Sequence, residues 1–390
     1  MLFRSKIAIV ESASSALPDG TDADTLKLAA EDLIAMGADS LLIGGVRTVT
    51  ADEDAIRVGA DTVTMGSDAS HPTLLTGPEV ILAANDTVRV NAGSTIKATG
   101  TLNRAPRDML VTDTSNPTSG ADGALLRVSN GAATTLDRNH TTEDGTISAP
   151  AGTRGTLDIA ADATIAANGS ALLDATKTTT LSGRLDLVQG AALGLGASRI
   201  SLGSDAPTNV DGLRFDDAAL TQLSSLAALA LTSYSTFDLY GAVQLGSTTL
   251  QTLTFAGGGM RAAGAAPVEA KFTAQTIRFA QAGTDSAAAG AGNATFTAKN
   301  IEVGSGNFGL HFASATLDAS NDIRAAGTKG ALMADGDLRL AAARITTDTG
   351  ADAAFTASGT LTLTHGSGAV GDLAAAELGG ALDRKSTRLN

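Results

Sequence analysis

Three aspartates sit in the middle of alternating, strand-like phrases: Asp158 in Gly155-Thr-Leu-Asp-Ile159, Asp186 in Gly183-Arg-Leu-Asp-Leu187 and Asp318 in Phe312-Ala-Ser-Ala-Thr-Leu-Asp-Ala319. On a period of two, each points away from the apolar residues beside it. Arg154 and Arg184 lie close by in the chain. Carboxylates gathered beside a guanidinium on one face are the equipment for cleaving a polysaccharide by general acid–base chemistry. That chemistry requires the three strands to lie side by side with their carboxylates converging on a groove. Against it, like charges stacked at the strand spacing of about 4.8 Å raise one another's pKa and cost stability. The expectation is therefore no catalysis in this chain and no catalytic, cofactor-binding or metal-binding residue, with a β-helical polysaccharide-processing enzyme as the alternative.

The remaining reactive residue types give no constellation. His71, His140, His311 and His365 form no pair at ligand spacing, and Gly257-Gly-Gly259 lacks the Asp of a calcium repeat. A nucleophile elbow, a phosphate loop and a zinc-protease motif are all absent from the sequence. Without cysteine there is neither a disulfide, a thiolate metal site nor a thiol nucleophile. Asn-x-Ser/Thr at Asn85, Asn139, Asn168 and Asn293 follows from the abundance of Ser and Thr. Tyr234, Phe237 and Tyr240 form an aromatic cluster, read as filling between a helix and a sheet rather than as a binding platform.

The elements that carry these residues repeat. Phe272-Thr-Ala-Gln-Thr-Ile-Arg-Phe279 returns as Phe296-Thr-Ala-Lys-Asn-Ile-Glu-Val303, 24 positions on (296 − 272). Gly-x-Leu-x-(Leu/Ile) occurs at Gly155, Gly183, Gly336 and Gly359, with neighbouring copies 28 (183 − 155) and 23 (359 − 336) apart. Inward residues also recur every eight positions, at Val80, Val88 and Ile96 and again at Leu157, Ile165, Leu173 and Leu181. Three short strands with brief corners then make one coil of a β-solenoid. With 10 Phe, 2 Tyr and no Trp, its core is expected to be built of Ala, Val, Leu, Ile and Thr.

Along the chain, residues 1–40 read as an N-terminal segment with one helix over 21–38, in which Leu26, Ala29, Ala30, Leu33, Ile34 and Met36 recur near a 3.6 period. Residues 41–382 read as the solenoid. Within it, 103–150 is a loop-rich excursion or side hairpin, and 216–226 is a short helical insertion capped by Asp216. Asp383-Arg-Lys-Ser-Thr-Arg-Leu-Asn390 is basic and unlike the rest. It can be encoded by GAT CGG AAG AGC ACA CGT CTG AAC, which resembles a short-read sequencing adapter, so the natural sequence is expected to stop near Leu382.

The net charge is −14, with acids scattered singly, which opposes binding to nucleic acid or to anionic lipid. The start, Met1-Leu-Phe-Arg-Ser-Lys-Ile-Ala-Ile-Val10, has too short an apolar run for a secretory signal. A cytoplasmic protein or an internal piece of a longer chain would account for it.

Gly183-Arg-Leu-Asp-Leu187 through Leu193-Gly-Leu-Gly-Ala-Ser-Arg-Ile-Ser-Leu-Gly203, the phrase Glu79-Val-Ile-Leu-Ala-Ala-Asn-Asp-Thr-Val-Arg-Val90 and the insertion Leu213-Arg-Phe-Asp-Asp-Ala-Ala-Leu220 resemble the shaft of filamentous haemagglutinin-type exoproteins. The resemblance covers most of residues 40–380. It implies a right-handed parallel β-helix, export by an outer-membrane two-partner transporter, and display at the bacterial surface as an adhesin, with a host-cell or surface glycan or protein as ligand. An autotransporter passenger is a further alternative. The family's secretion domain carries Asn-Pro-Asn-type motifs, which Asn116-Pro117-Thr-Ser does not match. This chain is accordingly expected to be an internal shaft fragment.

Overall fold

The computed structural model describes residues 5–18, 21–51, 53–67, 71–112, 120–142, 146–209, 211–288, 290–366, 368 and 381–388, with side chains left aside at 381 and 383–388. Asn116-Pro117 and the acidic pair Glu143-Asp144 lie outside the described residues. The chain is all-β, 56% strand and 4% helix, and folds as a parallel β-solenoid of about 12 turns. It divides into two compact units, residues 1–140 with 149–198 and residues 141–148 with 199–390.

In the first unit, apolar residues at fixed positions in each strand stack into columns, because parallel in-register pairing sets like positions opposite one another. On one face Val63, Val88 and Leu157 align, as do Ile9, Met65, Val90 and Ile159; all are fully buried. On a second face Leu75, Ile96, Ile165 and Leu185 align. The period of eight seen in the sequence is the step from one face to the next.

The third face departs from this scheme. Ala124–Ser129 lies between Glu79–Ala84 and Ser170–Ala175 and runs antiparallel to both, keeping Leu82, Leu126 and Leu173 in line. Every residue of these three strands is buried. Their outward side is covered by a small second sheet of Gly45–Val49, Asp54–Val58, Met109–Val111 and Leu136–Asp137. Ile56, Met109 and Val111 of that cover pack on Ile81, Ala83, Leu125 and Leu172. The segment 103–150 is thus more than a projecting loop: it supplies a wall strand and two strands of the cover. Glycine and proline there hid short strands whose outward residues are apolar because they face protein.

The N-terminal helix is also shorter than its periodicity suggested. Leu26–Ala29 is a strand paired with Lys6–Val10, and the helix spans only Ala30–Ala35. A run that alternates over four residues and then follows a 3.6 period satisfies both patterns, and sheet pairing takes the first half.

In the second unit Leu229, Leu253, Ile277, Ile301, Ile323 and Ile345 form one column. Leu245, Phe272, Phe296, Leu317 and Leu340 form another. The core is not purely aliphatic: Phe237, Phe255, Phe272, Phe279, Phe296 and Phe308 make a continuous aromatic stack with ring centroids 5.0–6.3 Å apart. Few aromatics suffice because in-register stacking concentrates them. Gly246, at φ +93, turns a corner where a Cβ would sit 2.1 Å from the Thr273 carbonyl oxygen. The helical insertion spans Asp217–Leu223, with Asp216 accepting a hydrogen bond from the Ala219 N–H (2.9 Å) and Leu220 and Leu223 buried. The strand Ala381–Arg388 pairs in parallel with Asp352–His365, so residues 383–388 of the expected tail continue the ladder.

Candidate functional site

Parallel in-register pairing turns a sequence separation of one coil into side-chain adjacency, and the charged residues use it. In the second unit Asp238 stands opposite Arg261, and Arg261 opposite His311. Asp238 is only 1% exposed; it accepts from Arg261 Nε and Nη2, both at 2.7 Å, and from the Thr236 hydroxyl at 2.9 Å. Arg199 Nε is 3.7 Å from the same carboxylate.

His311 continues the line. Its Nδ1 is 2.6 Å from Asp335 Oδ2, and its Nε2 is 2.8 and 3.0 Å from the two carboxylate oxygens of Asp285. Burial disfavours the charged ring, but hydrogen bonds to Asp285 and Asp335 outweigh it and raise its pKa above the ordinary histidine value. Burial pushes Asp285 up, but the His311 hydrogen bond, the Ala287 N–H and the charges of His311 and Arg261 together more than reverse it, leaving that carboxyl below its usual range. An Asp–His–Asp group invites a catalytic reading. A general base, however, needs a ring nitrogen with a free lone pair aimed at substrate. Both nitrogens here face carboxylates, and the side chain is 8% exposed. The cluster fastens neighbouring coils.

A second ladder of alternating sign runs Arg278–Glu302–Arg324–Asp348, at 2.6, 2.7 and 3.4 Å. Beside it Arg344 grips Asp322 through Nε (3.0 Å) and Nη2 (2.6 Å).

In the first unit the covered face holds a network of its own. Glu79 accepts from Arg127 Nε at 2.7 Å, from the Ser40 hydroxyl, and from Arg47 Nη2 at 3.3 Å. Arg127 also donates to the Ser170 hydroxyl (2.9 Å). Asp54 lies 2.6 Å from Arg104 Nη2 and 3.4 Å from Arg107 Nε. Desolvation raises the Glu79 pKa, but the Arg127 and Arg47 charges and the hydrogen bonds carry it below the ordinary value. Arg138 Nε meets Asp174 Oδ1 at 2.6 Å in the same buried layer.

The aspartates singled out from the sequence are not brought together. Asp158 pairs with Arg89 at 2.9 Å, on the sheet of Thr156–Ile159. Asp186 lies on the sheet of Arg184–Leu187, with Arg184 3.4 Å away. Asp318 is exposed in the second unit, opposite Thr297 and Ala341. Phe237 is a core residue, and Tyr234 is buried. His71 and His365 are exposed and His140 is half-buried.

Sequence reasoning missed the Asp285–His311–Asp335 group, although its signal was present. The two aspartates lie 26 (311 − 285) and 24 (335 − 311) positions from the histidine, one coil length to each side. Glu79 and Arg127 had no such signal, because an antiparallel strand breaks the period. Among the described residues no group of three or more His, Cys, Asp or Glu is placed to hold a metal ion, and no helix is long and apolar enough to cross a membrane. No family model matches the chain, and neither a curated protein nor a solved structure does.

Proposed function

We propose that this chain is a structural and adhesive shaft segment of a large secreted bacterial surface exoprotein of the filamentous haemagglutinin type, carrying no catalysis of its own. The observation that carries this reading is the disposition of charge. The ladders Asp238–Arg261 and Arg278–Glu302–Arg324–Asp348 tie coil to coil, while Asp158, Asp186 and Asp318 sit apart on different strands. A processing enzyme would gather carboxylates beside a groove; a shaft uses them to join repeats and keep the wall hydrated. In a solenoid each coil pairs its backbone with the coils before and after it, so length is gained without a new core design. In the shaft reading, a two-partner transporter in the outer membrane carries the parent chain across, and the surface offers a glycan or protein of a host its distal contacts.

Serum raised against this chain should label intact, unpermeabilised cells that carry the gene. Labelling only after lysis would contradict the proposal. The purified chain should release neither reducing ends nor unsaturated uronides from a panel of acidic and neutral polysaccharides; steady release lost in the double variant Asp158→Asn/Asp186→Asn would favour the enzyme instead.

A further inference from the structure

Among the described residues, one coil of the second unit has no strand on one of its faces. Val268–Ala280 pairs with Gly292–Val303 along nearly its whole length, but Gly259–Ala262 pairs directly with Gly306–His311, setting Arg261 opposite His311 across a gap of 50 positions (311 − 261) rather than one coil. Residues 281–288, which follow Val268–Ala280, lie over the outside of that face. The Ala282 N–H donates to the Gly257 carbonyl and the Thr284 N–H to the Tyr234 carbonyl, each at 3.3 Å. A Cβ on Gly258 would come within 2.4 Å of the Thr284 carbonyl, so the segment is drawn close onto the wall. At its start Gln281 Oε1 accepts from the Asn307 N–H at 2.8 Å. In its middle Asp285 reaches the His311 ring.

Three charged groups face that ring: Asp285 from the overlying segment, Asp335 from the turn after Lys329–Ala334, and Arg261 from Gly259–Ala262, itself held by Asp238. The rest of the ring's own strand, Gly306-Asn-Phe-Gly-Leu310, is uncharged. A neutral imidazole has one N–H and one lone pair. With a carboxylate at each nitrogen, only the doubly protonated ring donates to both; the neutral ring sets a lone pair against a carboxylate oxygen.

We propose that residues 281–288 form a strap whose closure is governed by the charge of His311: the Asp285–His311–Asp335 bridge holds it shut, and it comes free when the ring becomes neutral. Release bares the outward side of Thr236–Leu239, Gly259–Ala262 and Gly306–His311. The direction follows from linkage. A closed-state histidine pKa above 6.5 means that the bridge contributes fully below that pH and is lost as the pH rises through the closed-state value. Opening breaks only the Asp285 half of the bridge, so Asp335 still supports part of the shift.

The test uses the full chain with Ala282→Cys, the sequence having no other cysteine and Ala282 being a strap residue that is buried against the wall while the strap is closed. The rate of reaction with a neutral thiol reagent is divided by that of the urea-unfolded chain at the same pH, which cancels thiol ionisation. The ratio should stay constant from about pH 5 to 6.5 and rise severalfold by pH 9, the span being set by how far the closed-state histidine pKa lies above the open-state one. With His311→Gln or Asp285→Asn added, it should already be high at pH 5.5 and change little with pH. A ratio unchanged from pH 5.5 to 9 with His311 present, or an equal rise without it, would overturn the proposal. Far-UV circular dichroism at each pH must stay that of the folded solenoid; its loss over the same range would replace strap release by global unfolding and overturn the proposal too.

Discussion

Arg261 holds the carboxylate of Asp238 from the neighbouring coil through two hydrogen bonds of 2.7 Å, one from Nε and one from Nη2. The aspartate is buried and the arginine 31% exposed on its side chain. This fork is one of the links by which one repeat recognises the next, and a bidentate guanidinium pair fixes both distance and orientation.

Removing the arginine leaves the carboxylate with the Thr236 hydroxyl and the more distant Arg199. Arg261→Met is expected to cost about 2 kcal/mol, below the roughly 3–5 kcal/mol of a wholly buried pair because water already reaches the guanidinium. Arg278→Met, whose arginine is exposed, should cost no more than about 0.5 kcal/mol. Urea midpoints of the two variants check the order, and equal losses would contradict it.

Phe296 touches Phe255, Phe272 and Phe279. Phe296→Ala should destabilise the second unit by about 3–5 kcal/mol, as neighbours in adjacent coils cannot collapse into the void without breaking register. Phe296→Leu should cost markedly less. Thermal unfolding followed by circular dichroism measures both, and a loss under about 1 kcal/mol for the alanine variant would mean the stack is loosely packed.

The covered face of the first unit gives an acid-sensitive lock. Glu79 has a folded pKa below its ordinary 4.5, so its contribution is present above that pH and is lost as the pH falls through the folded value. Stability measured between pH 6 and 3 should fall less steeply in Glu79→Gln than in the native chain. Arg127→Met alone should cost about 3 kcal/mol, while the double variant Arg127→Met/Glu79→Gln should recover part of it, because no buried carboxylate is then left short of a partner.

Among the described residues Leu26–Ala29 is the last strand of its sheet, and Leu26 is partly exposed there. An open parallel edge with an apolar side chain invites pairing with another edge. The chain should therefore associate with rising concentration, and Leu26→Lys should weaken association severalfold in sedimentation velocity. Identical behaviour of the two would place the contact elsewhere.

The solenoid was legible because its inward residues are tied to a period. Val88, Ile96, Leu157 and Ile165 fall on that period and stack as anticipated. The cap at Asp216 was equally clear, since a side-chain acceptor three residues ahead of a free N–H is a local matter. The antiparallel strand Ala124–Ser129 was not, because its neighbours Glu79–Ala84 and Ser170–Ala175 lie about 45 residues away on each side and share no phrase with it. Leu26–Ala29 was hidden by a pattern that suits helix and strand alike. The Asp285–His311–Asp335 group lay between these cases, visible once the coil length is applied to charges as well as to apolar residues.

The central claim, that these coils belong to a long exported shaft, is tested most directly by long-read sequencing of the source DNA across this gene. The account predicts a reading frame of several thousand codons, with further coils beyond Leu382, a secretion domain upstream and a transporter gene alongside. A complete gene of about this length, ending near codon 390 with neither neighbour, would contradict it and leave a free-standing β-solenoid to be explained on other grounds.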